Sequence, residues 1–382
     1  MWDWITVLLY SVIGWSGYFC VYKQKRIKRK IKIYYVAMSF IWIPFAVFRY
    51  VGLYKNISIG GSDAPTYISY FQVCLTSTNH LYALHTEALF QIINKIVRLF
   101  TDDYHWLFIL FYGFIFFAYV SFIQEFGIKH QNYIPIFMLI IPYIKSFSTI
   151  RTGLAIAAIL IGIVSLSKRK ILLCFFMMLS SIFIQRASLI YATFPVFYYL
   201  VIKEKITQKN AILFSIIGAF SGVIIQRVLI AGDFSFMSGG AYSKYILQSF
   251  HLKYWIDYLK IIAEQIVVLI MVFVNNARIK KFGENLEMEE KRHIKILQIL
   301  CYYDCFLLPI CATLNIWRGV DYFFLPRLLM LGLLITIYGK KVTYSSKRIY
   351  SIIVLIFIIM WYILRLSTFY DKSDVMPYLF SF

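Results

Sequence analysis

Acidic residues are scarce in this chain. Its 382 residues hold 18 Asp and Glu against 39 Lys and Arg, and charged residues of both signs make up only 15%. A water-soluble domain carries roughly a quarter charged residues, so a soluble enzyme of this length is excluded. Cysteine is sparse too and forms no disulfide framework. Cys20, Cys174, Cys301, Cys305 and Cys311 fall within or at the ends of apolar runs, and only Cys74 lies in an outer loop. Cys301 and Cys305 are one helical turn apart, with no His or Cys nearby to complete a metal set. Gly60-Gly61 is not followed by Gly-Lys-Ser/Thr, so there is no P-loop, and the chain has no HExxH, no paired His ligands and no DxD. No cofactor and no metal site are therefore expected, apart from a weakly held Mg²⁺ that carboxylates alone leave open. Trp2-Asp3-Trp4 precedes the first apolar run without a basic n-region. That pattern predicts no cleavable signal peptide and a first helix inserted with its N-terminus outside.

What is present is apolar and aromatic. Hydrophobic residues make up 61% of the chain, aromatics 19%, and mean hydropathy is +0.71. This composition indicates an all-α, polytopic integral membrane protein, a single membrane domain over residues 1–382. Twelve spans of about 17 to 21 residues are predicted. They lie near 4–22, 33–51, 104–124, 133–149, 151–167, 171–185, 187–202, 211–230, 258–275, 296–314, 323–339 and 349–366. The net charge of +21 invites a nucleic-acid reading, but the basic residues sit in short loops between apolar runs. That is the footprint of topology and of anionic membrane lipids, and no nucleic-acid partner is expected.

Twenty-four of the 39 Lys and Arg fall in loops that the positive-inside rule places in the cytoplasm, which sets both termini outside. Two outer loops, 52–103 and 231–257, are long enough to be more than turns. In the first, residues 84–100 place Leu84, Leu89, Ile92, Ile93, Ile96, Val97 and Phe100 near one helical face. The segment is too polar to span and predicts an amphipathic helix in the outer interface.

The remaining 15 basic residues lie on the outer side, several of them inside or beside apolar segments. Arg49 ends the second span, Arg151 lies where a span restarts, and Arg186 separates two apolar stretches. Arg318 and Arg327 flank the outer end of the eleventh span. Arginine keeps its charge and offers a planar fork of donors, so several at one depth make a pyrophosphate clamp. Singly, each can also snorkel to the interface or pair with an acid. Asp63 and Glu87 are the outer acids in a suggestive context. A general base for a sugar hydroxyl needs a sheltered carboxylate. Asp63 equally suits the cap of a helix that Pro65 would begin, and Glu87 suits an ion pair with Arg98 or another outer arginine. Asp321, three residues from Arg318, suits its structural partner.

These residues resemble the Wzy/EpsG class of polysaccharide polymerases. A second span ending in Arg49 is followed by an outer G-x-D-x-x-x-Y-x-x-Y-F segment, here Gly61, Asp63, Tyr67, Tyr70 and Phe71. An E-x-x-F…N helix is matched by Glu87, Phe90 and Asn94, and an R-x-x-x-A span opening by Arg151 and Ala155. A late R-x-x-x-Y-F is matched by Arg318, Tyr322 and Phe323. The middle of the chain departs from the pattern. Gln185-Arg186-Ala187-Ser188 stands where many relatives have His-x-Ser, so a role tied to that His does not carry over.

The resemblance implies a GT-C-like architecture and a metal-independent membrane glycosyltransferase at the outer face of the bacterial inner membrane. Its substrates would be oligosaccharide repeat units on undecaprenyl pyrophosphate, with membrane lipids around it and a chain-length regulator as a further partner. The implied reaction moves the growing glycan to the non-reducing end of an incoming lipid-linked unit. Arg49, Arg151, Arg186, Arg318 and Arg327 would hold pyrophosphate, Asp63 or Glu87 would act as base, and Tyr67 and Tyr70 would face sugar rings. A flippase or other transporter of lipid-linked oligosaccharides, and an O-antigen ligase, are the alternative readings.

Overall fold

The computed structural model describes residues 4–26, 32–54, 57–75, 87–128, 131–202, 287–313 and 321–339, with scattered helical positions between 213 and 224, 265 and 272, and 355 and 363. The chain divides into two compact units, Met1–Ala192 with Ile335–Phe382, and Thr193–Leu334.

The first unit opens with α1 (Trp4–Arg26) and α2 (Ile33–Val47). A small antiparallel ribbon follows, β1 (Gly52–Tyr54) against β2 (Ile57–Ile59), with Gly52 opposite Ile59. Next come α3 (Ala64–Val73), α4 (Ala88–Arg98) and α5 (Tyr104–Phe126). A 3-10 stretch, Ile134–Leu139, runs into α6 (Ile140–Ser148). After a break at Thr149, α7 (Ile150–Ser167) and α8 (Ile171–Ile184) complete the set, ending in short turns at Arg186–Ser188 and Leu189–Ala192.

The architecture is helical, as composition requires, with that one ribbon as its exception among the described residues. By length and hydropathy α1, α5 and α7 can each cross a bilayer, and α2, Ile134–Ser148 and α8 are shorter apolar helices. The predicted spans 211–230, 258–275 and 349–366 lie largely outside the described residues, as does the outer loop 231–257.

An aromatic core binds α2, α5 and α6 together. Trp42 and Tyr143 rings lie 4.9 Å apart, Tyr143 Oη donates to the Trp42 carbonyl at 2.8 Å, and Tyr112 meets Phe147 edge-on at 5.6 Å. Such pairs add about 0.5–1.5 kcal/mol each beyond their buried area. The two ends of α5 differ in chemistry. At its C-terminal end Lys25 donates to the carbonyls of Gln124 and Gly127 at 3.0 and 2.7 Å. There, too, Lys168 pairs with Glu125 at 3.2 Å. Lys25, Lys32 and Lys168 thus gather at one end of this unit, and Arg49, Glu87 and Arg151 lie toward the other.

The face that α4 presents is the reverse of a soluble amphipathic helix. Phe90 and the polar Asn94 are its buried residues, and Asn94 Nδ2 donates to the Phe90 carbonyl at 2.7 Å. Ile92, Ile96, Leu99 and Phe100 point out of the protein, Phe100 with 85% of its surface exposed. In a membrane protein, an apolar stripe turned outward rests in lipid.

In the second unit α9 (Phe194–Ile202), α10 (Met288–Thr313) and the start of α11 (Phe324–Gly339) are described. Tyr303 anchors them, with Phe197 at 4.8 Å, Phe194 at 5.7 Å and Phe323 at 5.9 Å between ring centres. A buried ion pair lies beside this cluster. Arg327 on α11 is wholly buried and meets Asp304 on α10 through two parallel bonds, Nε–Oδ2 at 2.5 Å and Nη2–Oδ1 at 2.8 Å.

Candidate active site

The site of the first unit starts from Arg49. Its side chain is 1% exposed, and three of its guanidinium N–H groups donate to main-chain oxygens. Nε donates to the Gly60 carbonyl at 2.8 Å, Nη2 to the Phe147 carbonyl at 3.4 Å, and Nη1 to the Ala46 carbonyl. The rings of Phe147, Phe108 and Tyr112 pack around it at 4.5, 4.8 and 5.1 Å. Hydrogen bonds compensate the burial of this cation, and the rings face its positive charge with their π-clouds. Arg49 therefore ties the Gly60 loop to the chain break after α6. It serves as a brace, with three of its N–H groups given to the main chain.

The glycines of that loop are dictated by the same junction. Gly60 and Gly61 have φ of +83° and +110°. A Cβ on Gly61 would lie 2.4 Å from the Phe147 carbonyl oxygen, and one on Gly60 would lie 2.1 Å from that of Tyr50. Only glycine combines this backbone with this approach. The Ser62 N–H donates to Ser148 Oγ at 3.3 Å, closing the loop onto the segment that leads to Arg151.

Asp63 follows, at the N-cap position of α3, with Pro65 inside the first turn. Its side chain makes no capping hydrogen bond. The cap expected of it is thus occupied in sequence but not performed by the carboxylate. One turn on, Tyr67 is 2% exposed, with its ring edge-on to Phe90 at 5.6 Å and 5.8 Å from the Arg151 guanidinium. Packed in this way it shapes the site from behind and offers no open face to a sugar ring. Tyr70, on the same helix, is partly exposed.

Glu87 and Arg151 meet here. Glu87 immediately precedes α4, in extended backbone, and Arg151 lies in the first turn of α7. Arg151 Nη1 donates to Glu87 Oε2 at 2.5 Å, and the backbone N–H of Arg186 donates to Glu87 Oε1 at 3.2 Å. Arg98, the partner that sequence spacing also allowed for Glu87, pairs instead with Asp102 and stands over the Phe71 ring at 5.6 Å. Cys74 ends α3 with its Sγ donating to the Phe71 carbonyl, and burial pushes its thiol above the usual range despite Arg98 nearby.

The predicted site residues thus separate. Tyr67, Glu87, Arg151 and the Arg186 backbone come together in one unit, with Asp63 one turn before Tyr67 at the start of α3 and Arg49 bracing the preceding loop. Arg327 is committed to Asp304 inside the other unit and is correspondingly no snorkelling or open arginine. Arg318, and with it any pairing to Asp321, lies outside the described residues. Asp304 escaped sequence reasoning, although an acid within an apolar segment was the signal that marks it. No group of three or more His, Cys, Asp or Glu able to hold a metal occurs among the described residues.

An apolar helical bundle with several helices long and apolar enough to cross a bilayer is the arrangement of a multi-pass membrane protein. Residues 50–380 match the EpsG family, and the chain belongs to this family of EpsG/Wzy-type polymerases. No curated protein and no solved structure matches it.

Proposed function

We propose that this protein polymerises lipid-linked oligosaccharide repeat units at the outer face of the cytoplasmic membrane. The observation that carries the reading is the convergence of Arg151, Glu87 and Tyr67 of α3, the helix that Asp63 opens, behind the Arg49 brace. Arg151, with Arg186 as a further cation, holds the pyrophosphate of the lipid-linked donor. An acceptor sugar hydroxyl attacks the donor's anomeric carbon. The new glycosidic C–O bond forms as the bond to pyrophosphate breaks, and undecaprenyl pyrophosphate departs with the electron pair. Preorganised arginine charge stabilises the departing group. The hydroxyl proton passes to Asp63, whose carboxylate does not cap α3, or to the departing phosphate.

Two substitutions test this. Arg151→Lys keeps the charge and loses the fork, so long glycans should shorten markedly at unchanged membrane levels of protein. Asp63→Asn keeps size but cannot accept a proton, so surface glycans should collapse to single repeat units. A flippase would instead trap lipid-linked units on the cytoplasmic side, and even single units would vanish from the surface. Wild-type chain lengths from both variants would sink the polymerase assignment of these residues.

A further inference from the structure

Glu87 uses each of its two carboxylate oxygens on a different donor. One accepts from the Arg151 guanidinium at 2.5 Å, the other from the Arg186 main-chain N–H at 3.2 Å. A guanidinium and a backbone N–H aimed at the same small volume form the donor set that phosphate oxygens take. The carboxylate sits in it as a phosphate would, two oxygens across two donors. Glu87 is 10% exposed and Arg151 19%, whereas Arg186 lies at the surface. The pair is sheltered, yet one of its donors comes from an exposed residue.

We propose that Glu87 is a positioning residue standing in for a phosphate group. Without substrate it holds Arg151 and the Arg186 N–H in anion-binding geometry. When a diphosphate arrives, its oxygens replace the two carboxylate oxygens and Glu87 is released. The exchange has a driving force, because a diphosphate brings more charge and more acceptor oxygens than one carboxylate. It also has a cost. Every ligand must compete with Glu87, and apparent affinity falls by the fraction of time the donors are already taken. The assignment rests on the reading of Arg151 as a pyrophosphate ligand, and it gives Glu87 a role other than base.

Neutralising the competitor should therefore tighten binding. Glu87→Gln keeps the size and an acceptor for the Arg186 N–H but loses the charged grip on Arg151. With the full chain in zwitterionic nanodiscs and inorganic pyrophosphate as titrant, E87Q should bind about tenfold more tightly than the wild type. Glu87→Asp, with its carboxylate drawn back by one methylene, should move the same way by less, and serves if E87Q does not fold. Arg151→Gln should lose binding. Equal or weaker binding by monodisperse E87Q or E87D, with binding lost in R151Q, overturns the stand-in role and leaves Arg151 as the ligand. Wild-type binding by R151Q overturns both.

Discussion

Arg49 shows how far a residue's sequence context and its task can diverge. An arginine at the outer end of an apolar span is what a phosphate ligand looks like in sequence. The three carbonyls that accept from it, those of Ala46, Gly60 and Phe147, carry no sequence signature at all. Arg49→Lys retains charge but reaches one carbonyl at best, and it loses the planar packing against three rings. Abandoning two such bonds inside the protein should cost about 2 kcal/mol or more. The measurement is thermal unfolding of the purified protein in detergent. A clear drop in melting temperature is expected, whereas an unchanged melting temperature with lost pyrophosphate binding would restore Arg49 to the clamp. Glu87 makes the complementary case. Its pairing with some outer arginine was legible, but the choice of Arg151 over Arg98 depends on a contact 64 positions away along the chain. Local spacing cannot rank such partners.

Elements were more legible than contacts. The break between α6 and α7 falls where two apolar runs meet at Thr149, and Pro65 marks the first turn of α3. Periodicity also found α4, since Leu89, Ile92, Ile93, Ile96, Val97 and Phe100 repeat at helical spacing. What periodicity cannot supply is the medium that the stripe meets. Here the protein side is Phe90 and Asn94, and the outward side is apolar. A bilayer interface explains that inversion, because lipid tails and headgroups meet at the depth where such a helix rests. Tryptophan introduced as Ile96→Trp should be quenched by lipids brominated near the headgroup. Ile92→Lys with Ile96→Lys should lower the yield of folded protein in membranes. Fluorescence of the Ile96→Trp variant insensitive to brominated lipid would place the stripe against protein or water instead.

For the whole molecule, the distribution of charge is the most transferable feature. Lys25 and Lys168 lie at the end of α5 away from Glu87 and Arg151, as an orientation with basic loops in the cytoplasm requires. Reporter fusions after residues 28, 169, 285 and 344 should therefore register cytoplasm, and fusions near 63 and 242 the outer side. A consistent inversion would move the candidate site to the face where lipid-linked units are made. Conversely, sequence gave no hint that the chain divides into two compact units, because apolar runs of similar length occur in both.

The Asp304–Arg327 pair bears on how the protein is made. Asp304, well inside α10, alone disfavours insertion by up to about 2.5–3.5 kcal/mol, and Arg327, in the first turn of α11, adds a smaller cost. Both are buried here, 23 positions apart on α10 and α11, and joined by two bonds. Biogenesis therefore favours delivery of the two helices to the lipid as a hairpin whose charges cancel before either meets hydrocarbon. Asp304→Ala should accordingly reduce the inserted fraction of α11 during translation, a defect that would arise at the translocon long before any sugar is joined.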